Sequence, residues 1–245
     1  MDSGLYAACA GLVAKSQALE VSANNLANVN ASGYRAQRSV FRSVLAQASS
    51  RQLPQINQAL NSFGVIGGTR IDRSQGTLDQ TGNSLDVAIE GTGFFSVATA
   101  SGIQYTRNGN FHLSPSGELL TASGERVLST QSQPIRVPSG SISISPDGTL
   151  SVNGAVAAKL RMTEFPATAA LQNVGNGMYS APEAQAVNSS SSSVRQGWLE
   201  GSNVNPTFAA VELISTQRQA EMLYRALNAF NGELNKTATE DLARA

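Results

Sequence analysis

The sequence predicts an α+β protein, in which a discontinuous helical domain made of paired, coiled-coil-like N- and C-terminal helices accompanies a central, mostly antiparallel β domain. Two observations carry this prediction. Apolar residues recur with a helical period near both ends of the chain, and the period changes to two between about residues 76 and 184. The predicted order is an N-terminal helix within 1–35, a connector over 36–75, the β domain over 76–184, a serine-rich connector over 185–204 and a C-terminal helix within 205–245.

The N-terminal helix is predicted over about residues 4–29. Leucines recur there every seven residues, and a small residue follows each of the first three leucines after four positions. The leucines are Leu5, Leu12, Leu19 and Leu26, and the small residues are Cys9, Ser16 and Ala23. This seam has a period of 3.5, and its small residues would let a partner helix approach closely.

The helix ends in the stretch NNLANVNASGYR, residues 24–35. Gly33 suits the end of a helix because glycine adopts left-handed backbone conformations without strain. Asn24, Asn25 and Asn28 would lie within the last turns at a propensity cost of about 0.5 kcal/mol each. Either these amides bond to a neighbouring helix, or they are simply solvated.

The two connectors differ in composition. In the first, Val40, Phe41, Val44 and Leu45 form an apolar stripe that predicts a short helix, and a polar, extended segment follows. The second contains five consecutive serines, residues 189–193.

The β domain shows alternating apolar residues and tight turns. In SLDVAIEGTGFFSVAT, Leu85, Val87 and Ile89 alternate on one face, which would turn Asp86 outward. The segments 114–128 and 145–160 both begin with Ser-Pro-x-Gly-x-Leu and both contain a second glycine turn. This similarity predicts a repeated hairpin.

The C-terminal helix is predicted to start near Pro206 and to carry a second apolar stripe. Its members are Leu213, Leu223, Leu227, Phe230 and Leu234, with Ala220 between them. Neither terminal helix has enough residues of its own to bury its stripe. We therefore expect the two stripes to pack on each other, and any remaining apolar surface to require a second molecule.

Composition excludes several classes of function. The 245 residues include 17 basic and 17 acidic residues, so the basic excess of a nucleic-acid-binding protein is missing. No apolar run reaches the roughly 20 residues that a membrane-spanning helix needs. Asp2, rather than a basic residue, precedes the short N-terminal apolar block, so we expect no cleaved secretory signal. Cys9 is the only cysteine and is interpreted as a packing residue.

No pattern of catalytic residues is recognisable. His112 is the only histidine, and no nucleophile-elbow motif accompanies it. One histidine and one cysteine do not make a usual zinc site, and the lone GTG at 91–93 lacks the helix of a phosphate-binding loop. The sequence thus predicts no catalytic residue, metal, cofactor or small-molecule substrate. Two alternatives are a secreted, adhesin-like binding module and a hydrolase built around His112.

Three blocks of sequence resemble the flagellar basal-body rod and hook axial proteins. They are SANNLANVNASGYRAQRSVF near the N-terminus, LDVAIEGTGFFSV with YTRNGNFHLSPSGELLTASGERVL in the centre, and QGWLEGSNVNPTFAAVELISTQRQAEMLYRAL near the C-terminus. The resemblance implies a structural subunit that is exported by the flagellar type III apparatus without a cleaved signal. Such subunits form a helical tube with copies of themselves and other rod proteins, and the tube transmits torque across the periplasm.

Chain length favours a proximal-rod member of the family, with a distal-rod or hook-type member as the alternative. Combining the apolar stripes with the resemblance, we expect the assembly seams to comprise Leu5, Leu12, Leu19, Leu26, Leu223, Leu227, Phe230 and Leu234. Asn24, Asn25 and Asn28 are predicted to be polar contacts between subunits, and Arg35 and Arg218 to be electrostatic anchors. Core packing within one subunit is the alternative for each leucine.

Overall fold

The computed structural model describes residues 2–43, 64–189 and 191–242. The helices are α1 (Asp2–Ala27) and α2 (Pro206–Leu242), and a short 3₁₀ helix spans Glu183–Gln185. The strands are β1 (Gln37–Ser43), β2 (Gly64–Ile71), β3 (Leu78–Gln80), β4 (Val87–Glu90), β5 (Phe94–Thr99), β6 (Gly102–Thr106), β7 (Phe111–Leu113), β8 (Leu119–Thr121), β9 (Arg126–Val127), β10 (Ile142–Ile144), β11 (Thr149–Val152), β12 (Ala155–Lys159), β13 (Met162–Glu164), β14 (Gln172–Gly175), β15 (Met178–Ser180), β16 (Val187–Asn188), β17 (Ser193–Gln196) and β18 (Trp198–Glu200).

The strands between β3 and β18 pair in an antiparallel manner. The largest sheet has nine strands, with the order β14-β15-β6-β5-β9-β8-β7; β13 also pairs with β5, and β16 pairs with β13. A terminal helix at each end and a central antiparallel β region confirm the α+β class. Neither helix is both long and apolar enough, over its described residues, to cross a membrane.

The chain forms two compact units. The helical unit contains residues 1–26, 37–69 and 206–245, and the β unit contains residues 27–36 and 70–205. Thus the segment that follows α1 belongs to the β unit, although its sequence continues directly from a helix. The chain passes between the units four times.

The first connector differs from its prediction. Gln37–Ser43 form strand β1, which pairs with β2, instead of a short helix. Neighbouring apolar residues such as Val40 and Phe41 fit either a helix or a strand, and the β-branched and aromatic side chains favour the strand. Val44 and Leu45 lie outside the described residues.

The core of the β unit lies where the alternating pattern placed it. Val87, Ile89, Phe95 and Val97 are all fully buried. Asp86, however, is also buried, which corrects the prediction that it points outward. Its carboxylate accepts a hydrogen bond from the Asn83 side chain (3.2 Å). Both faces of β4 are covered, since Ala88 is fully buried as well, so alternation along this strand does not lead to solvent.

The repeated hairpin is confirmed. In β7–β8 the Gly117 N–H donates to the Ser114 carbonyl at 2.9 Å, and in β10–β11 the Gly148 N–H donates to the Ser145 carbonyl at 2.9 Å. Both glycines have a left-handed backbone, with φ of 77° and 82°. The leucine two residues after each glycine is buried in the same apolar cluster. The shared Ser-Pro-x-Gly-x-Leu motif therefore encodes both the turn and the residue that anchors it.

The serine-rich segment is folded onto the β unit and is not a free connector. The hydroxyl groups of Ser189, Ser191 and Ser192 donate to one carboxylate oxygen of Glu164 at 2.5, 2.8 and 2.7 Å. Partial burial acts to raise the pKa of Glu164, but these hydrogen bonds outweigh it and lower the pKa. The serine hydroxyls thus act as hydrogen-bond donors that hold this segment to Glu164. Strand β17 follows directly.

The two related turns allow a matched test. Alanine at either Gly117 or Gly148 would be forced into the left-handed region, at about 1–2 kcal/mol. A Cβ at Gly117 would also lie 2.8 Å from the Val137 carbonyl oxygen, whereas at Gly148 its nearest neighbour would be 3.4 Å away. We expect Gly117→Ala to lower the free energy of unfolding more than Gly148→Ala does. Chemical denaturation followed by Trp198 fluorescence measures both, and equal losses would contradict the account.

Candidate functional site

Three charged side chains form a buried cluster in the β unit. Arg35, Arg107 and Glu200 are each at most 1% exposed. Arg35 Nη2 lies 2.5 Å from Glu200 Oε1, and Arg107 Nη1 lies 3.0 Å from Glu200 Oε2. One carboxylate thus serves two guanidinium groups, and the cluster carries a net charge of +1. Burying charges is unfavourable unless they are paired and hydrogen-bonded. The hydrogen bonds around the cluster therefore decide whether it stabilises the fold.

Backbone groups supply further hydrogen bonds to the cluster. Arg35 Nη1 donates to the Ser74 carbonyl (2.5 Å), and the two terminal nitrogens of Arg107 donate to the carbonyls of Ile89 and Gly91. The Gly76 N–H donates to Glu200 Oε1 (3.0 Å). Burial lowers the pKa of Arg107 to about 10, although the Glu200 charge acts to raise it. At neutral pH Arg107 therefore stays charged, and the carbonyls share in stabilising the excess positive charge.

Gly33 brings the N-terminal segment to this cluster. Its N–H donates to the Glu200 carbonyl at 2.7 Å, and its φ is 69°. A Cβ there would lie 2.3 Å from the Asn108 nitrogen and 2.4 Å from the Arg107 carbonyl carbon, so no other residue fits without backbone movement. The glycine in NNLANVNASGYR thus permits close packing of two backbones as well as a turn.

Tyr179 binds the backbone of Arg35. The Arg35 N–H donates to the Tyr179 hydroxyl at 2.9 Å. The tyrosine is fully buried, and burial raises its pKa to about 12. Its hydroxyl therefore stays protonated at physiological pH and accepts this hydrogen bond as a neutral group.

Asn203 connects three segments of the β unit. Its Oδ1 accepts the Ala36 N–H at 2.7 Å, and its Nδ2 donates to the carbonyls of Asp72 (3.1 Å) and Ser74 (2.9 Å). The Asp72 N–H in turn donates to the Ala36 carbonyl at 2.8 Å. A single amide therefore links segments that are far apart in sequence. We call Arg35, Arg107, Glu200 and Asn203, with the backbone groups that they bind, the clamp.

Asn25 has a similar function in the helical unit. Its Nδ2 donates to the Gln37 carbonyl and its Oδ1 accepts the Gln37 N–H, both at 2.8 Å. This reciprocal pair ties the last turn of α1 to the first residue of β1. Asn25 is buried, and both of these hydrogen bonds lie within the subunit. The ion pair and hydrogen bonds of Arg35 likewise lie inside the β unit. A contact of either residue with another subunit stays a prediction.

The described face of α1 that is most buried consists of small residues, not of leucines. Its members are Gly11, Ala14, Ala18, Ser22 and Asn25. Leu12, Leu19 and Leu26 are half-buried at the edge of this stripe, and Cys9, Ser16 and Ala23 are exposed, contrary to the predicted packing role of Cys9. A heptad spacing fits both stripes, so the spacing alone did not decide which one is buried.

Helix α2 presents two different apolar faces. One is buried or half-buried and comprises Ala209, Leu213, Ala220, Leu223 and Leu227. On the opposite face, Val211, Ile214 and Met222 are 62%, 51% and 62% exposed, at a helical spacing of three and eight residues. Arg218 lies on this exposed face. Three large apolar side chains in one exposed row are unusual for a surface helix and favour an interface.

The remaining predicted site residues are placed as follows. Asn24 is exposed and Asn28 half-buried. The side chains of Leu5, Phe230 and Leu234 lie outside the described set. His112 is exposed on strand β7. Within residues 2–43, 64–189 and 191–242, no three His, Cys, Asp or Glu side chains are grouped as metal ligands would be.

Family models match three regions of the chain. The model described as "Flagella basal body rod protein" matches residues 5–35, the "Flagellar hook protein FlgE/F/G D1 domain" matches 88–152, and the "Flagellar basal body rod FlgEFG protein C-terminal" matches 195–239.

Full-length relatives give the same result. FlgF of Rhizobium meliloti (strain 1021) is 31% identical over 240 residues, which cover 96% of both chains. The chain belongs to the family of flagellar basal-body rod proteins. FlgG rod proteins match as well, at 31% identity for Bacillus subtilis (strain 168) and 33% for Agrobacterium fabrum (strain C58 / ATCC 33970), each over 89% of this chain and 91% of the relative.

Membership explains the expected lack of catalytic residues. These flagellar rod proteins are structural, so the chain is a structural rod subunit and not an enzyme. The hydrolase and adhesin alternatives therefore lose their support.

The three family regions of this rod protein meet in the clamp. Arg35 ends the first matched region, Arg107 lies within the second, and Glu200 lies within the third. Sequence reasoning named Arg35 but missed Arg107, Glu200 and Asn203, since nothing local shows that residues 93 positions apart form an ion pair. A signal was present, because all three missed residues lie within the blocks YTRNGN and GWLEGSNVN.

The cluster predicts a large effect of a small substitution. Glu200→Gln removes the carboxylate charge and leaves two buried arginines without a counter-ion, which we expect to lower the free energy of unfolding by about 3–5 kcal/mol. Glu118→Gln is the matched control, because Glu118 also ion-pairs two arginines, Arg126 and Arg136, whose side chains are 58% and 76% exposed. The control should change the free energy by no more than about 1 kcal/mol. Chemical denaturation of the full chain compares them, and similar losses for the two variants would contradict the role assigned to Glu200.

Proposed function

We propose that this rod protein assembles through its terminal helices into a helical tube, together with copies of itself or other rod proteins, and that the tube transmits torque across the periplasm. The observation that carries the proposal is the row of exposed apolar residues on α2, opposite the face that is already buried. A helix with two apolar faces can pack within its own subunit and against a neighbour at the same time.

Within the helical unit, we propose that α1 and α2 pair. The buried stripe of α1 consists of small residues, and the buried face of α2 carries Leu213, Leu223 and Leu227. Leucines fit against small residues because the two backbones can approach closely. Leu227, which is only 8% exposed, then belongs to packing within the subunit.

The neighbouring subunit would contact the outer surfaces. We assign to this contact the half-buried leucines Leu12, Leu19 and Leu26, the polar residues Asn24 and Asn28, and Arg218 on the exposed row of α2. We retain Leu5, Phe230 and Leu234 as further members on the basis of their spacing. A contact between different surfaces of successive subunits continues as a helical assembly when its rotation does not close into a ring. The net charge of zero avoids repulsion between copies.

We propose a place in the proximal rod, after export by the flagellar type III apparatus without a cleaved signal. The support is the matching length of the R. meliloti FlgF protein, of which the chain covers 96%. The distal rod is the second candidate because FlgG relatives match over similar shares of their length.

Two exposed valines test the role of α2. Val211 lies on the exposed row of α2 and is 62% exposed, and Val156 lies on strand β12 and is 71% exposed. Because both are exposed, aspartate at either position should change the free energy of unfolding of the isolated chain by about 0.5 kcal/mol or less. In cells, Val211→Asp should lower the amount of the subunit in purified basal bodies at least tenfold and abolish swimming, whereas Val156→Asp should do neither.

Quantitative immunoblotting of basal bodies and a soft-agar swimming assay provide the readouts. Normal incorporation of the Val211→Asp subunit would refute assembly through this face of α2.

A further inference from the structure

We propose that the clamp is the positioning device of the subunit: it fixes the points at which the chain leaves the β unit, so that load on the terminal helices enters the β unit there. This inference rests on the proposed function, since it assumes that the subunit carries torque. Beyond that function, the inference names the residues of the β unit through which the torque is transmitted.

Along the chain, the clamp lies close to points at which the chain enters and leaves the β unit. The chain leaves the β unit after Ala36 and after Asn205, and it enters at Arg70. Ala36 and Asp72 are bound to Asn203 and to each other, as described above. Three of the four points at which the chain passes between the two units therefore lie within three residues of Ala36, Asp72 or Asn203.

The ion pairs of the clamp resist displacement. Glu200 joins Arg35, next to one passage, to Arg107, which is held by the carbonyls of β4 and the turn after it. Pulling either arginine away would leave a buried charge without its partner, which is strongly unfavourable. Surface ion pairs such as Glu118 with Arg126 have no comparable stiffness because water replaces either partner.

The hydrogen bonds next to these points can be removed without disturbing the buried charges. Asn203→Ala removes the hydrogen bonds to Ala36, Asp72 and Ser74, but it leaves all the partners of Glu200 in place. Asn173→Ala is the matched control. Asn173 is half-buried like Asn203, and its Oδ1 accepts a single hydrogen bond from the Gly175 N–H within strand β14, away from the passages.

Amide hydrogen exchange on the purified full chain tests the clamp itself. With Asn203→Ala, we expect exchange at the Ala36 and Asp72 amides to become at least tenfold faster, and exchange at the hairpin amides of Gly117 and Gly148 to stay unchanged. Asn173→Ala should leave Ala36 and Asp72 at wild-type rates. Unchanged exchange at these two amides in Asn203→Ala would overturn the inference.

Rotation of single flagella tests the mechanical role. In cells that carry Asn203→Ala, we expect normal amounts of the subunit in basal bodies and normal rotation of small beads, but at least a twofold loss of speed or frequent stalling with large beads. A defect in assembly alone would reduce the number of rotating flagella and leave the dependence on load unchanged, and that result would also overturn the inference. If wild-type chain is missing from basal bodies, the proposed function fails, whatever the exchange rates of the variant are.

Discussion

The fold depends on one carboxylate that faces two buried guanidinium groups. The Glu200 carboxylate binds Arg35, Arg107 and the Gly76 N–H, and the Glu200 backbone carbonyl accepts a hydrogen bond from the Gly33 N–H. Arg35, Arg107 and Glu200 come from three different parts of the chain, and loss of the carboxylate would leave two buried arginines unpaired. The N-terminal segment, the central β region and the strand before α2 must therefore fold together. This coupling gives a physical reason why the three family regions occur in one polypeptide.

The features that the sequence predicted correctly are those that local patterns encode. Helical periodicity predicted both terminal helices, alternation predicted buried Val87, Ile89, Phe95 and Val97, and the Ser-Pro-x-Gly-x-Leu motif predicted two related hairpins. Patterns that fit two structures were less informative. Val40 and Phe41 suit a helix or a strand, and heptad spacing in α1 fits the leucine row as well as the row of small residues that is buried. Tertiary contacts decide between such alternatives.

The candidate site could be predicted only in part because it is formed by contacts over long distances in sequence. The motif NNLANVNASGYR indicated that Asn25, Gly33 and Arg35 have a role, but Asn25 binds Gln37, and Gly33 and Arg35 both bind Glu200. From the sequence alone, the partners of charged and amide side chains within the same chain are unknown. Such side chains at a helix end therefore suggest contacts with other subunits. The structure uses Asn25 and Arg35 of the motif for contacts within the subunit and leaves apolar residues of α2 exposed. In our proposal, assembly uses the helices, and the clamp fixes the β unit.

A double-mutant cycle between Arg35 and Glu200 tests the central claim most directly. The free energies of unfolding of the wild type, Arg35→Met, Glu200→Met and the double variant give the coupling between the two side chains, free of the effects of each substitution alone. If these residues hold the N-terminal segment to the β unit, the double variant should lose at least about 1.5 kcal/mol less than the sum of the two single losses. Additive losses, with a coupling energy near zero, would show that the pair does not act as a unit and would contradict the account.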